Sequence, residues 1–128
     1  MGYLLPYLNF DKSFNVKFIN DTVIIKCNDK LNIHNISFLA KIMDSLISQN
    51  NGLILVDMND LQHVDSTGLG VLFVTMNRLK KINISFKLIG LSDYIHNLFS
   101  GLDIDTLCEV YENEEDAIKS MAVQNSFT

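Results

Sequence analysis

Apolar and polar side chains alternate along Phe14-Asn15-Val16-Lys17-Phe18-Ile19, and in part along Thr22-Val23-Ile24-Ile25-Lys26-Cys27, with Asn20-Asp21 between them. Alternation at a period of two on both sides of a turn-forming pair predicts an antiparallel hairpin. From Ile36 the period changes. Ile36, Leu39, Ile42, Met43 and Leu46 recur at helical spacing until Gln49-Asn50-Asn51-Gly52, a run that stops a helix. Leu53-Ile54-Leu55-Val56 then forms an uninterrupted apolar run bounded by Gly52 and Asp57, the pattern of a central strand covered on both faces. Beyond it, the pattern predicts a second helix from near Ser66, a strand from Ile84 to Ile89 and a short helix from Ser92 to Phe99. A strand near Leu107 to Tyr111 and a last helix from Glu114 to Met121 follow.

Strands that alternate with helices imply an α/β sheet with crossover connections, and the opening hairpin makes that sheet mixed. The expected architecture has about five strands and about four helices. No repeat, low-complexity run or Pro/Gly/Ser linker interrupts the 128 residues, and Pro6 is the single proline. One domain is therefore expected over 14–121, with an extension at 1–13 and a tail at 122–128. A chain of this length with 48% hydrophobic residues can bury one core.

Charge narrows the partners. Ten basic against fifteen acidic residues give a net charge of −5, which repels nucleic acid and anionic membranes. The N-terminal stretch is apolar but lacks a basic n-region and contains Pro6, so it predicts neither a signal peptide nor a membrane span. Pro6 also stands where a myristoylation motif needs Ser or Thr, and the segment is expected to pack on the fold or fray. Cys27 and Cys108 lie far apart in apolar surroundings, without the spacing of a zinc site or redox pair, and are expected to be buried free thiols of a reducing cytoplasm. Nothing in the sequence calls for a metal or other cofactor, and a monomer is the default.

The chemistry concentrates in Leu61-Gln62-His63-Val64-Asp65-Ser66-Thr67-Gly68-Leu69-Gly70-Val71-Leu72-Phe73, which joins the central strand to the second helix. Asp65 or Ser66 is suited to cap that helix, since a short side-chain oxygen satisfies the open N–H groups of the first turn. Loops beyond the carboxyl ends of strands in α/β sheets commonly hold the binding site. A serine hydroxyl at a helix start is also a favourable place for a phosphoryl group, because the open N–H groups and the positive dipole end face it. Phosphate there would add about −1.5 to −2 charge beside Asp65 and change what the surface can bind. Along the helix, Leu69, Leu72, Phe73, Met76 and Leu79 are expected to face the core. Thr67, Gly70, Val71, Val74, Arg78 and Lys81 form an outer face less polar than a solvated helix requires. Gly68 and Gly70 each cost about 1 kcal/mol relative to Ala in a helix, so close approach by a partner or by the domain's own backbone is expected.

The run Asp65-Ser66-Thr67-Gly68-Leu69-Gly70-Val71-Leu72, preceded by a hydrophobic strand ending in Asp57 and by Leu61, resembles the signature of bacterial STAS-domain anti-sigma factor antagonists. The order of elements extends the resemblance from Phe14 to Met121. It implies a partner-switching cycle in which the unphosphorylated protein binds an anti-sigma factor that is itself a serine kinase, and so frees a sigma factor. Phosphorylation of Ser66 separates the complex, and a metal-dependent serine phosphatase restores it. The resemblance makes Ser66 the phospho-acceptor and assigns Thr67, Gly68, Leu69 and Gly70 to the contact surface, beside Asp65, Val71, Val74 and Arg78. Family members commonly carry a Gly-Glu-Leu-Asp-like turn after the second strand. This chain has Asp29-Lys30-Leu31-Asn32, so Asn32 keeps the shape of that contact but drops the charge.

Three other readings compete. A serine hydrolase would use His63, Asp65 and Ser66, but neighbours in sequence rarely form a triad and the G-x-S-x-G elbow is absent, leaving His34 and His96 as capping or surface residues. A receiver domain would phosphorylate Asp57, but it needs an acidic pair after the first strand and a lysine after the last. Asp57 and Asp60 are then turn and cap residues. Within the resembled family, the same scaffold also serves as a subunit of lipid-transport or stressosome-like complexes.

Overall fold

The computed structural model describes residues 8–10, 12–48 and 52–126. The N-terminal residues 1–7 and the predicted helix stop at 49–51 lie outside the described residues. Two strands, β2 (Phe14–Ile19) and β3 (Thr22–Cys27), form the predicted antiparallel hairpin, with Asn20 in the left-handed region at φ 53° to close the turn. Asn tolerates that backbone better than most residues, because its short polar side chain bonds locally.

Helix α1 (Ile36–Ser48) leads into β5 (Leu53–Asp57), every residue of which is buried. Helix α2 (Ser66–Lys81) leads into β7 (Ser85–Ile89), and α3 (Asp93–Ser100), capped by the Ser92 side chain, leads by way of a short 3-10 turn (Ile104–Thr106) into β8 (Glu109–Tyr111). The last helix, α4 (Glu114–Ser126), runs five residues past the expected end at Met121. The main sheet is mixed, in the order β1 (Leu8–Phe10)-β2-β3-β5-β7-β8, antiparallel from β1 to β3 and parallel from β3 to β8. Its outermost strand, β1 (Leu8–Phe10), pairs with β2 and comes from the segment expected to be an extension.

The period of two in the central strands splits the core between the two faces of the sheet. Val23, Ile25, Ile54, Val56, Phe86 and Leu88 point to the side of α1, α2 and α3, where Leu39, Met43, Leu72, Met76, Ile95 and Phe99 meet them. Ile24, Leu53, Leu55 and Ile89 point the other way and are covered by Ala117 of α4. That thinner side also holds a buried cation: Lys87 Nζ donates to Ser120 Oγ at 2.5 Å and to Glu109 Oε1 at 3.1 Å, and lies 5.0 Å from the centre of the Tyr111 ring. Both cysteines are buried free thiols, as expected.

A second sheet positions the site. Strands β4 (Asp29–Leu31) and β6 (Leu61–Val64) pair in parallel as a separate two-stranded ribbon, with a register shift between Asp29 and Lys30. The ribbon carries the starts of α1 and α2 to one end of the molecule.

A candidate partner-binding site at the start of helix α2

The end of β6 and the start of α2 are joined to the end of β4 by a set of short polar bonds. The Asp65 N–H donates to the Leu31 carbonyl at 3.1 Å, which continues the ribbon by one bond. The Asp65 side chain then works in two directions. Oδ1 accepts the Gly68 N–H at 2.7 Å and caps α2, while Oδ2 accepts the Ile33 N–H at 3.2 Å in the turn that enters α1. One carboxylate thus holds two helix starts together.

Of the two capping candidates, Asp65 is the cap and Ser66 is the first helical residue. Ser66 and Thr67 are both exposed. Their N–H groups belong to the open end of the helix, where they and the positive end of the dipole favour negative charge. A serine relieved of capping presents an exposed hydroxyl at the start of the helix.

Gly68 faces inward. A Cβ on it would lie 2.5 Å from the Leu31 oxygen and 2.8 Å from the Leu31 carbonyl carbon. It packs against the ribbon, which is the close approach by the domain's own backbone that a glycine in this position was expected to serve. Gly70 is the opposite case: it is exposed, and nothing stands within 4 Å of the position its Cβ would take. Leu69 and Val71 are both half-buried and pack against the core, Leu69 on the face its helical spacing predicts. Thr75 is buried as well, its hydroxyl donating to the Val71 carbonyl at 2.9 Å, so the core face of α2 is wider than its apolar residues alone indicate.

The residues of the expected surface that do stand outward are Asp65, Ser66, Thr67, Gly70, Val74 and Arg78. Val74 is 70% exposed, the highest value among the large apolar side chains described. Ser66, Gly70, Val74 and Arg78 follow one another at intervals of four and so form a single ridge. Arg78 is ion-paired with Asp44 of α1. Exposed Ile33, at 62%, sits beside the shared Asp65 carboxylate and was not anticipated; its one signal is an isolated apolar residue in the polar Asn32–Asn35 turn.

Asn32 builds that turn. Its Oδ1 accepts the His34 N–H at 2.9 Å, its own N–H donates to Asn35 Oδ1 at 2.9 Å, and its carbonyl accepts the Ile36 N–H at 2.9 Å. The amide is committed to starting α1, next to the ribbon that supports Ser66. The other candidate chemistries find different employment for their residues: Asp65 serves backbone N–H groups, and Asp57 Oδ1 accepts from the Asn59 N–H at 2.9 Å and from Asn59 Nδ2 at 2.8 Å as a turn residue. Asp60 pairs with Lys26 at 3.0 Å.

The STAS domain model matches residues 13–117, which takes in the ribbon, the capped start of α2 and the sheet beneath them. The chain belongs to the STAS domain family. The anti-sigma-B factor antagonist of Staphylococcus aureus is 25% identical over 108 residues, a match that covers 84% of this STAS chain and 96% of that relative. Among solved structures, the Bacillus cell fate determinant SpoIIAA in its phosphorylated form superposes with a TM-score of 0.69 at 21% identity, covering 84% of this chain and 98% of that one. A sulfate transporter family protein from Wolinella succinogenes superposes with a TM-score of 0.71 at 18% identity, covering 81% and 87%. These structures share the fold. No helix among the described residues of this STAS chain is long and apolar enough to cross a membrane.

Proposed function

We propose that this STAS chain is an anti-sigma factor antagonist of the cytoplasm, a binding protein rather than an enzyme. In its unphosphorylated form the outer face of α2 binds an anti-sigma factor that is a serine kinase, and a sigma factor is released. Within the complex the γ-phosphoryl group of ATP passes to Ser66 Oγ. A P–O ester bond forms at the serine, the bond to ADP breaks, and the hydroxyl proton leaves to a base of the kinase. The added charge beside Asp65 then repels the partner. Hydrolysis by a metal-dependent serine phosphatase restores the hydroxyl.

The observation that carries this reading is the division of labour between Asp65 and Ser66. Because Asp65 caps α2 and ties it to Ile33, the exposed Ser66 can gain a phosphate with the fold intact. The likeness to antagonists by name and fold agrees with it. Incubation with a kinase-type anti-sigma factor of the same genome and ATP, followed by intact mass and peptide mapping, should give one phosphate, at Ser66. A phosphate on Thr67 would overturn the assignment. Ser66→Asp should weaken binding to the same kinase while leaving the melting curve in place, and a collapsed melt would make Ser66 structural.

A second reading stays in view because the same fold also occurs in a sulfate transporter family protein. Under it the same face of α2 serves a lipid-transport or stressosome-like assembly. Binding of a transporter subunit or a stressosome component, with no binding of the kinase, would select it.

A further inference from the structure

Helices α1 and α2 differ in charge from the rest of the molecule, although the Lys80 ammonium turns off their outer face to donate to the Thr106 carbonyl. The two helices together contain four cations, Lys41, Arg78, Lys80 and Lys81, against the single carboxylate of Asp44. Their balance of +3 sits in a chain of net charge −5, so the remainder carries −8. Three of the opposing carboxylates, Glu114, Glu115 and Asp116, open α4 on the other side of the sheet.

The ridge of α2 lies within this positive face. The Asp65–Ile33 bond at one end and the Arg78–Asp44 ion pair at the other fix α1 and α2 side by side and running in the same direction. Exposed Lys41 of α1 falls along the chain between the Ile33 and Asp44 anchors, and exposed Lys81 closes the end of α2. Cations in the last turn of α2 complement the helix dipole whatever they face. That explanation does not reach Lys41, which lies in the middle of α1. Nor does it explain Val74, since a β-branched side chain in water on a helix gives up propensity and gains no burial.

Resting on the reading of Ser66 as the switch, we propose that this ridge docks on a protein face that presents carboxylates around a shallow apolar socket. Val74 enters the socket, the bare backbone at Gly70 lets the partner come close, and Lys41 and Lys81 meet the carboxylates while Arg78 stays paired with Asp44. Complementary charge of this kind acts mainly on the rate of encounter and on the choice of partner. It also sharpens the switch, because phosphate at Ser66 places negative charge on the same ridge, against a partner that is itself negative there.

The test measures association and dissociation rates for a purified kinase-type anti-sigma factor of the same genome, against wild type, Lys41→Glu/Lys81→Glu, Lys41→Gln/Lys81→Gln, Val74→Ala and Ser66→Asp, at low and high salt. The double Glu variant is expected to associate about tenfold more slowly at low salt, with the gap closing at high salt. The Gln pair should fall between it and wild type, and Val74→Ala should dissociate faster. Loss of binding by Ser66→Asp with unchanged rates for both lysine pairs would overturn the acidic partner face and leave the switch standing. If wild type does not bind the kinase, or Ser66→Asp binds as well as wild type, the switch reading fails, and this inference with it. Sedimentation of the chain alone at both salt concentrations is the remaining arm. A salt-sensitive dimer lost in the double Glu variant would make the acidic side of a second copy the occupant and overturn the proposal.

Discussion

Gly68 of α2 lies against the Leu31 carbonyl of the ribbon so closely that a Cβ built there comes within 2.5 Å of the oxygen. The neighbour is backbone in a paired strand, so it cannot swing aside as a side chain would. Gly68→Ala is expected to destabilise the domain by about 1–3 kcal/mol, despite the better helix propensity of Ala. Gly70, two residues on and so on the opposite side of the helix, is open to solvent and should respond in the opposite sense: Gly70→Ala gains about 0.5–1 kcal/mol. Denaturant midpoints of the two variants check both signs. Because Gly70 is assigned to the docking ridge, its alanine variant should be the more stable protein and the poorer binder.

Asp65 supports two helix starts, and removing it should cost more than an ordinary cap. Asp65→Ala is expected to lose about 2 kcal/mol, the upper part of the range for N-caps, because the Ile33 N–H loses its acceptor together with that of Gly68. Asp65→Asn keeps one cap oxygen and should lose less than half as much. Hydrogen exchange distinguishes the two: in Asp65→Ala, protection should fall both at Gly68 and Leu69 and across the distant turn at Ile33.

Most of the main sheet was legible because its strands state their environment in their composition. Leu53-Ile54-Leu55-Val56 has no polar residue to place in solvent, and Asn20-Asp21 fits only a turn. The β4–β6 ribbon was illegible for the converse reason. Asp29-Lys30-Leu31 offers one apolar residue, Asp29 has φ 62°, and its pairing shifts register, so neither composition nor period marks a strand. The site followed the same division. The Asp65-Ser66 start was visible as a capping pattern, yet which of the two residues caps depends on the Ile33 N–H, a partner 32 positions away. Gly68 and Gly70 look alike in sequence and differ only in what the fold places in front of them.

Cys27 makes stability depend on pH at the alkaline end. Burial, reinforced by the nearby Asp57 carboxylate, pushes its thiol from 9.0 up to about 12. The folded protein therefore keeps a proton that the unfolded chain gives up. The contribution is fully present below pH 9.0 and is lost progressively from there toward pH 12, with a limiting slope of about 1.4 kcal/mol per pH unit. Denaturant midpoints across this window should fall more steeply for wild type than for Cys27→Ala. The native thiol should also resist alkylation at pH 8 until the protein unfolds, since the thiolate is the reactive form.

Lys87 offers the sharpest separation between charge and volume. Its stem fills space between β7 and α4, and its ammonium group bonds Ser120 and Glu109. Ser120 also donates to the Ala117 carbonyl at 2.6 Å, and Glu109 reaches solvent and the Tyr111 hydroxyl, so neither is stranded when the ammonium goes. Lys87→Met keeps the volume and should change stability by less than about 1.5 kcal/mol. Lys87→Ala removes the stem as well, and a loss of about 2–4 kcal/mol is expected from the cavity. The lost packing lies under α4, beside buried Ala117 and half-buried Ile118 and Met121, so hydrogen exchange in Lys87→Ala should rise first along α4 and leave α1 and α2 protected. Equal destabilisation by Met and Ala would show that the ion contacts, and not the filled space, hold the last helix down.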